Sequence, residues 1–445
     1  MIDKNVYTEE MKMTYDFQSF GMDENNPTVI AKPVISAIYT ADPAASVGED
    51  GRLYVYASHD MDPPRGCDCM DRYHVYSTGD MVHFRDEGEI LRSDEVTWGR
   101  PEGGFMWAPD CKYKNGTYYF YYPHPSDSRW NDTWKIGVAV SKSPCRDFHD
   151  MGYIEGIGGW CMIDPSIFID DNGINYLYFG GGAMPRAVIL EDDMMTVKDG
   201  TVYEMKGLED FHEASYVFKR NGLYYMTYSD NLGGRNRMHY AVSDHPLGPW
   251  EHRGLYLTPT GCDTSHGSVV EFRDHWYCFY HNCVISGGRG NLRSVCVDEL
   301  FFDEDGDILP VVQTITPLSP VGPDESLPAD TPFVPASSAI RSERRAELNE
   351  NGCAKIEKGR NLIFTKVDGM EGGRISLHFA YASSVPLSHL RLIVNDTDWS
   401  FINLAAGYES AAFTVPMKAG KVNTVRLEFT DGKGILRGFH TESLD

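Results

Sequence analysis

The stretch TADPAASVGEDGRLYVYASHD, residues 40–60, contains an Asp-Pro pair, a turn at Gly51 and a run of alternating aromatic and aliphatic residues. A glycine turn followed by such alternation predicts a β-hairpin. The pattern recurs four times, in YKNGTYYFYYPH at Gly116, DDNGINYLYFGG at Gly173, FKRNGLYYMTYSD at Gly222 and EFRDHWYCFYHN at His275. The turns lie roughly 50 to 65 residues apart, a spacing typical of propeller blades. The sequence therefore predicts a five-bladed β-propeller.

One position lies nine residues before each of these five turns. The residues at this position are Asp42, Trp107, Asp164, Glu213 and His266. In a propeller the first strand of every blade lines the central channel, so equivalent positions form a ring around the axis. We therefore expect three carboxyl groups, a tryptophan and a histidine to converge on one site. The prolines that follow Asp42 and Asp164 predict extended backbone at both residues.

The chain changes character after residue 316. Residues 317–335 contain six prolines, which predict a stiff, extended connector. Beyond it, ISLHFAY, LRLIVND, AAFTVPM and NTVRLEF are short alternating segments, as expected of a small β-sandwich. The prediction is an all-β protein with a propeller over residues 1–316, a connector over 317–335 and a sandwich over 336–445.

Composition restricts the partners and the location. The net charge of −25 disfavours nucleic acid and anionic membranes as partners. The first twenty residues lack the apolar core of a secretory signal, and the ten cysteines form no disulfide framework, so we expect a cytoplasmic protein. Cys67 and Cys69 are expected to be free thiols, because no second Cys or His pair stands at metal-ligand spacing. A homo-oligomer is left open.

The five repeats, together with RSVCVDELFFDEDG, resemble the successive blade motifs of glycoside hydrolase family 43 from about residue 35 to 315. The resemblance implies an inverting enzyme on a five-bladed propeller, of the α-L-arabinofuranosidase or β-xylosidase type. The C-terminal segments LRLIVNDTDW and VPMKAGKVNTVRLEF are similar to family 6 carbohydrate-binding modules.

The resemblance implies that Asp42 is the general base, Glu213 the general acid and Asp164 the residue that orients the acid and tunes its pKa. Inverting hydrolysis requires a base and an acid about 6.5 to 9.5 Å apart, with water between the base and the sugar. A third carboxylate nearby is expected to raise the pKa of Glu213 by like-charge repulsion.

Other residues are assigned to substrate. Trp107 is expected to form a stacking wall for the sugar. Arg293 is either a structural partner of a blade carboxylate or, as the resemblance implies, a contact for sugar hydroxyls, with Arg289 as the alternative. His59 and Asp60, at the end of the first repeat, are expected near the same mouth and are candidates for substrate binding.

The resemblance also implies that His266 helps to hold Ca²⁺ in the channel. The expected substrate is a short oligosaccharide from which the enzyme removes one terminal arabinofuranose or xylose at a time. The insertion MDPPRGCDCMDRYHVYSTGD, residues 61–80, is expected to narrow the channel mouth.

Several other functions remain in view. Galactan or arabinan side chains are alternative substrates. Retaining, invertase-like propellers use Arg-Asp-Pro in the middle blade, whereas this chain has Ile163, Asp164 and Pro165. A phosphorylase would need a basic phosphate pocket that the sequence does not show. A non-catalytic sugar-binding propeller is disfavoured because all three carboxyl residues are present.

Overall fold

The computed structural model describes residues 23, 31–62, 67–230 and 236–445. Five sheets follow one another along the first part of the chain. The first consists of β1 to β4 (Thr40–Val47, Leu53–His59, Arg72–Thr78 and Arg85–Arg92), and the second of β5 to β8 (Asp110–Lys114, Thr117–Pro125, Trp134–Ser141 and His149–Tyr153). The third consists of β9 to β12 (Ser166–Ile169, Asn175–Phe179, Arg186–Leu190 and Val197–Glu204). The fourth consists of β13 to β16 (Glu213–Arg220, Leu223–Ser229, Met238–Ser243 and Glu251–Leu257), and the fifth of β17 to β19 (Ser268–Phe272, His275–Asn282 and Ser294–Leu300).

The five sheets close into a ring. The first strand of each sheet contacts the first strand of the next, from β1 through β5, β9 and β13 to β17, and β17 contacts β1. The Ala45 amide donates to Ser268 Oγ at 2.9 Å, which joins the last blade to the first. The predicted five-bladed propeller is thus confirmed, with the first strands around the axis.

The second part of the chain is a sandwich of two antiparallel sheets. One sheet orders its strands β20-β28-β23-β26, with β21 beside β28, and the other orders them β22-β27-β24-β25. The strands are β20 to β28 (Phe333–Pro335, Ala354–Ile356, Asn361–Val367, Gly373–Ser383, Leu387–Val394, Thr397–Ala405, Ser410–Met417, Asn423–Asp431 and Gly434–Ser443). Alternating apolar residues of both sheets, such as Leu377, Phe413 and Leu427, form one buried core between them.

The proline-rich connector lies on the propeller. The Val321 amide donates to the Asp80 carbonyl at 3.0 Å, and the Gly79 amide donates to the Glu325 carboxylate at 2.7 Å. The last residues of the predicted connector, Phe333–Pro335, form β20 and pair with β28, so they belong to the sandwich sheet. Pro335 is tolerated in β20 because this strand lies at a sheet edge.

Residues 31–40 contact three parts of the molecule. The Thr40 amide donates to the Arg293 carbonyl at 2.8 Å, which fixes this segment to the last blade. Ala37 and Ile38 pack into the sandwich core, and the Asn403 amide donates to the Ala37 carbonyl at 2.7 Å. The segment therefore connects the first blade, the last blade and the sandwich.

Two sequence-based calls fall wholly or partly outside the described residues. The stretch read as lacking a secretory signal, residues 1–20, is not described, and neither is the side chain of Cys67, whereas Cys69 is a free thiol. Within the described ranges, no helix has the length and apolarity that crossing a lipid bilayer requires.

Candidate active site

The channel carboxyl groups sit on irregular backbone at the start of the first strands. The register of β1 against β2 shifts between Ala41 and Ala44, and that of β13 against β14 shifts between Glu213 and Tyr216. Asp42 has φ 53 and Asp164 has φ 55, so the extended backbone predicted from the following prolines is wrong at both positions. At Asp42 the bulge of β1 re-aims the side chain and overrides the local preference set by proline, whereas Asp164 lies outside the paired residues of β9, which begin at Ser166.

Asp42 is a buried carboxylate with a defined set of donors. Ser58 Oγ donates to Oδ2 at 3.1 Å and Arg293 Nη1 donates to Oδ1 at 2.9 Å. The Asp42 amide donates to His281 Nδ1 at 3.0 Å, while His281 Nε2 donates to the Thr264 carbonyl at 2.8 Å. Burial alone would raise the pKa of Asp42, but the Arg293 guanidinium, with smaller contributions from His281, His266 and Ser58, outweighs it and holds this pKa below its ordinary value.

Arg293 is held by two carboxylates at once. Its Nε and Nη2 donate to the two oxygens of Asp60 at 2.9 and 3.0 Å, and its Nη1 also donates to Thr264 Oγ1 at 3.0 Å. With the bond to Asp42 and a contact from Nη2 to Met70 Sδ, every N–H group of the guanidinium has a partner. Of the two roles considered for Arg293, this favours the structural one over contact with sugar hydroxyls.

Glu213 is the second acid of the channel, with its side chain 14 % exposed, at the first residue of β13. Burial raises its pKa to about 7, and the negative charge of Asp42 acts in the same direction. The sequence predicted that the charge of Asp164 raises the pKa of Glu213, whereas in the structure the charge of Asp42 does so. At neutral pH Glu213 holds a proton in a large share of molecules, while Asp42 is ionised.

Asp164 interacts electrostatically with Glu213, Asp42 and His266. Its Oδ2 accepts the amide N–H of Ala214 at 2.9 Å, directly beside Glu213 in the chain. His266 Nδ1 lies 3.7 Å from the same oxygen. Burial raises the pKa of Asp164 to about 7; His266 opposes this shift and the charges of Glu213 and Asp42 add to it. Asp164 thus positions the backbone that carries Glu213.

Trp107 belongs to an aromatic cluster with Phe105, Trp130 and Trp134. The ring centroids of Trp107 and Trp134 are 4.5 Å apart, and Phe105 stacks on Trp130 at 5.2 Å. Tyr73 Oη donates to the Trp107 carbonyl at 2.6 Å. Trp130 is 39 % exposed, so the cluster presents an aromatic surface to solvent. Sequence reasoning missed Trp130, which follows no repeat spacing and is marked only by the polar stretch SDSRWNDTW.

His59 and Asp60 were predicted near the channel mouth, but in the structure neither side chain faces the channel. Side chains alternate along a strand, and Ser58 points to Asp42, so His59 lies on the opposite face of β2. There it lines a pocket shared with the sandwich. Both carboxylate oxygens of Asp60 accept hydrogen bonds from Arg293, so Asp60 is a positioning residue behind the base. The predicted insertion, residues 61–80, is also shorter than expected, because Arg72–Thr78 form β3 of the first blade.

The sequence profile of the glycosyl hydrolases family 43 matches residues 30–308. The chain belongs to this family. A xylosidase/arabinosidase from Bacteroides ovatus is 34 % identical over 319 residues, which are 61 % of this chain and 95 % of the relative. A relative from Humicola insolens, named xylosidase/arabinosidase 43A, is 34 % identical and is covered over 98 % of its length. This chain is therefore a glycosidase of family 43.

Among solved structures of the family, a β-xylosidase/α-arabinofuranosidase from a compost microbial metagenome, in complex with xylotriose and in calcium-free form, is 33 % identical with a TM-score of 0.57. The match covers 66 % of this chain and 98 % of the chain in that structure. An arabinoxylan arabinofuranohydrolase from Bacillus subtilis covers 93 % of this chain with a TM-score of 0.58 at 24 % identity, and shows the fold alone. The similarity of the sandwich to family 6 carbohydrate-binding modules stays a prediction.

The family resemblance implied a calcium ion at His266, but few protein side chains near His266 could act as its ligands. Ca²⁺ prefers about six to eight oxygen ligands. His266 offers a nitrogen, and the neighbouring Asp164 oxygen already accepts the Ala214 amide. Within the described ranges, the only group of three side chains that could hold a metal together is Asp80, His83 and Asp324, on the first blade and the connector. The side chains around His266 in this family 43 channel therefore do not form a calcium cage.

Proposed function

We propose that the protein is an inverting, exo-acting glycosidase that releases terminal xylose or arabinofuranose from short oligosaccharides. The opposite pKa shifts of Asp42 and Glu213 carry this proposal. An inverting enzyme needs one ionised carboxylate and one protonated carboxyl group in the same site, and these two residues meet that condition at neutral pH.

Each channel residue has one task in this mechanism. Asp42, ionised by Arg293, takes a proton from a water molecule that attacks the anomeric carbon. Glu213 gives its proton to the glycosidic oxygen as the bond to the leaving group breaks. Asp164 positions Glu213 through the Ala214 amide, and Arg293 keeps Asp42 ionised. Arg293 and Asp60 act through Asp42 and do not touch the sugar in this proposal.

The sugar class rests on the relatives and on the aromatic cluster. The similar proteins are named xylosidase/arabinosidase, and a structural neighbour is a complex with xylotriose. The cluster of Trp107 and Trp130 offers a stacking surface at the channel. A cytoplasmic location and a homo-oligomer stay predictions; in the cytoplasm, short imported oligosaccharides would be the available substrate.

The mechanism is tested by following hydrolysis of nitrophenyl β-xyloside and α-arabinofuranoside by NMR. We expect the first product anomer to have the inverted configuration, and Asp42→Asn to reduce turnover by orders of magnitude with the fold intact. Retention of configuration, or near-normal turnover of the Asn variant, would contradict the proposal.

The exo mode is tested with defined xylo- and arabino-oligosaccharides. Monosaccharide should be released from the first time point, and the substrate should shorten by one sugar at a time. Early accumulation of mixed mid-length products would show an endo enzyme instead.

Calcium is tested separately, because the side chains around His266 fit it poorly. If water supplied the remaining ligands of an ion at His266, chelation would lower the melting temperature or the activity, and added Ca²⁺ would restore it. His266→Ala should abolish this response, whereas Asp324→Ala, in the other candidate group, should leave it unchanged. Indifference of the wild-type protein to chelators would leave His266 as a partner of Asp164 only.

A further inference from the structure

Two tryptophans of this chain are exposed, and both lie on the face of the propeller that carries the catalytic residues. The chain has eight tryptophans, all among the residues that the structure describes, and only Trp130 at 39 % and Trp160 at 45 % are exposed. Single exposed apolar residues are common on protein surfaces and indicate nothing by themselves. Two exposed indoles beside one channel form a patch of the kind that marks a binding site.

The strand order places both tryptophans at the channel mouth. The catalytic residues lie near the start of the first strand of their blades, so this strand leads away from the active face and the antiparallel second strand returns to it. Trp130 lies between β6 and β7, the second and third strands of its blade. Trp160 lies before β9, close to Asp164 in the chain. Both tryptophans are therefore on the active face.

The two segments that carry these tryptophans are in direct contact. The Gly159 amide donates to the Trp134 carbonyl at 2.9 Å, so the segment before β9 pairs with the end of the loop that carries Trp130. The ring centroids of Trp130 and Trp107 are 6.2 Å apart, which connects this loop to the channel. Trp130 and Trp160 thus form one tryptophan rim between the second and third blades.

The Trp160 side of the tryptophan rim lies next to the proposed general acid. A Cβ on Gly182 would overlap the Trp160 ring, so the indole rests on the bare backbone of this glycine. The next residue, Ala183, donates its amide N–H to the His212 carbonyl at 3.2 Å, and His212 directly precedes Glu213. The Trp160 indole is therefore connected through one short backbone contact to the residue that protonates the leaving group.

A groove of 720 Å³ continues from the rim on the side of Trp130. Its lining includes Phe105, which stacks on Trp130 with ring centroids 5.2 Å apart, and the polar residues Arg100 and Glu102. Ligand pockets in proteins span about 300 to 1,000 Å³, so this groove has room for more than one sugar ring. An aromatic surface with polar groups at its margin suits sugars, because their ring faces are apolar and their edges carry hydroxyl groups.

The chemistry gives the rim a direction. In inverting hydrolysis the acid protonates the glycosidic oxygen, so the sugars beyond that oxygen leave on the side of Glu213. We propose that the tryptophan rim binds these leaving-group sugars and gives the enzyme a preference for oligosaccharides of at least three units. One sugar on each indole and the terminal sugar in the channel make a trisaccharide the shortest substrate that uses the whole rim. This inference rests on the proposed function; Trp130 and Trp160 determine specificity in it and do not touch the reacting atoms.

The test compares substrates that reach the rim with one that does not. β-D-xylopyranosyl fluoride releases fluoride and leaves the rim empty, whereas xylobiose and xylotriose place one and two sugars beyond the scissile bond. We expect kcat/KM of the wild-type enzyme to rise from xylobiose to xylotriose. Trp130→Ala and Trp160→Ala should each lower kcat/KM for xylotriose by about tenfold, through loss of one aromatic contact, and keep hydrolysis of the fluoride within about twofold of wild type. If the terminal sugar is arabinofuranose, the furanosyl fluoride and arabino-oligosaccharides replace this series.

Two controls separate the rim from effects on the fold. Trp160→Phe keeps an aromatic face and should retain most of the gain with xylotriose, at an unchanged melting temperature. Met151→Ala removes an exposed apolar side chain from β8, the fourth strand of the blade that carries Trp130, and should leave every rate unchanged. A chain-length dependence that is the same in wild type and in both Trp→Ala variants would overturn this inference alone. Absent hydrolysis of every substrate would overturn the proposed function together with it.

Discussion

Asp42 and Glu213 are both carboxyl groups with little exposure to water, yet their pKa values move in opposite directions. The difference comes chiefly from Arg293, which donates directly to Asp42 and, together with the smaller effects of His281, His266 and Ser58, outweighs the effect of burial there. Glu213 lies further from this charge, so burial and the negative charge of Asp42 dominate and raise its pKa to about 7. One arginine thereby makes the largest contribution to the different protonation states of two residues in the same site.

These shifts predict the pH dependence of kcat/KM. Glu213 must be protonated to act as an acid, so activity should fall as the pH rises through about 7. Asp42 must be ionised, so the acid limb should lie below the ordinary range of an aspartate. Glu213→Gln should lose the alkaline limb on a substrate whose leaving group needs no proton, and a pH–rate profile of both enzymes measures this. If the alkaline limb persists in the Gln variant, the group that titrates there is Asp164 and not Glu213.

The sequence predicted Asp42, Asp164 and Glu213 because a repeat reports which position of each blade faces the axis. It offered a blade carboxylate as one possible partner of Arg293 but could not identify Asp60 and Asp42, since these pairs are separated by 233 and 251 residues and follow no repeat. His59 was expected near the channel mouth because it stands at the end of the first repeat, although alternation along β2 turns it the other way.

At the scale of strands, the hairpins were predictable because each one is encoded within a short stretch of sequence. β3 and β20 were not predicted, because β3 was read as part of an insertion, and β20 pairs with β28, about a hundred residues later. The bulges in β1 and β13 were also missed, since they place Asp42 and Ala214 at positive φ against the preference of these residue types.

Strand β17 begins with a close approach that only glycine permits. A Cβ on Gly267 would lie 2.2 Å from the Phe279 carbonyl oxygen of β18. Gly267→Ala should therefore displace the start of β17, with Ser268 and His266, and lower the melting temperature by several degrees and the turnover with it. Gly116→Ala is the matched control, because its Cβ would meet nothing within 4 Å and only its φ of +79 is unfavourable. Equal losses for both variants would contradict this account.

At the scale of the whole molecule, the sandwich is fixed to the first blade through buried polar groups. The Thr414 amide donates to Asp86 Oδ2 at 2.8 Å, and Phe413 lies 5.4 Å from the His74 ring. His74 is itself fully buried, 3.5 Å from Asp86 and 3.7 Å from Glu89. Burial opposes the charge of this imidazole, but the two carboxylates outweigh it and raise its pKa to about 9.

This histidine predicts a pH-dependent stability of the domain contact. Because the pKa of His74 is higher in the folded than in the unfolded protein, its contribution is complete below about 6.5 and is lost as the pH rises through about 9. The free energy of unfolding should decrease over this range by an amount on the order of a few kcal/mol, which thermal unfolding detects as a falling melting temperature. His74→Gln should flatten the slope, and the exposed His149→Gln should not; a slope unchanged in His74→Gln would exclude this origin.

The segment of residues 31–40 has a consequence for synthesis. Its partners include Arg293 in the last blade and Asn403 in the sandwich, so they emerge from the ribosome long after it does. At about 5–20 residues per second, the chain from residue 37 to residue 403 takes roughly 20 to 70 s to make. During this time Ala37 and Ile38 lack the core that will bury them. The segment is therefore translated well before its partners in the last blade and the sandwich, and Ala37 and Ile38 stay unburied until the sandwich has been made.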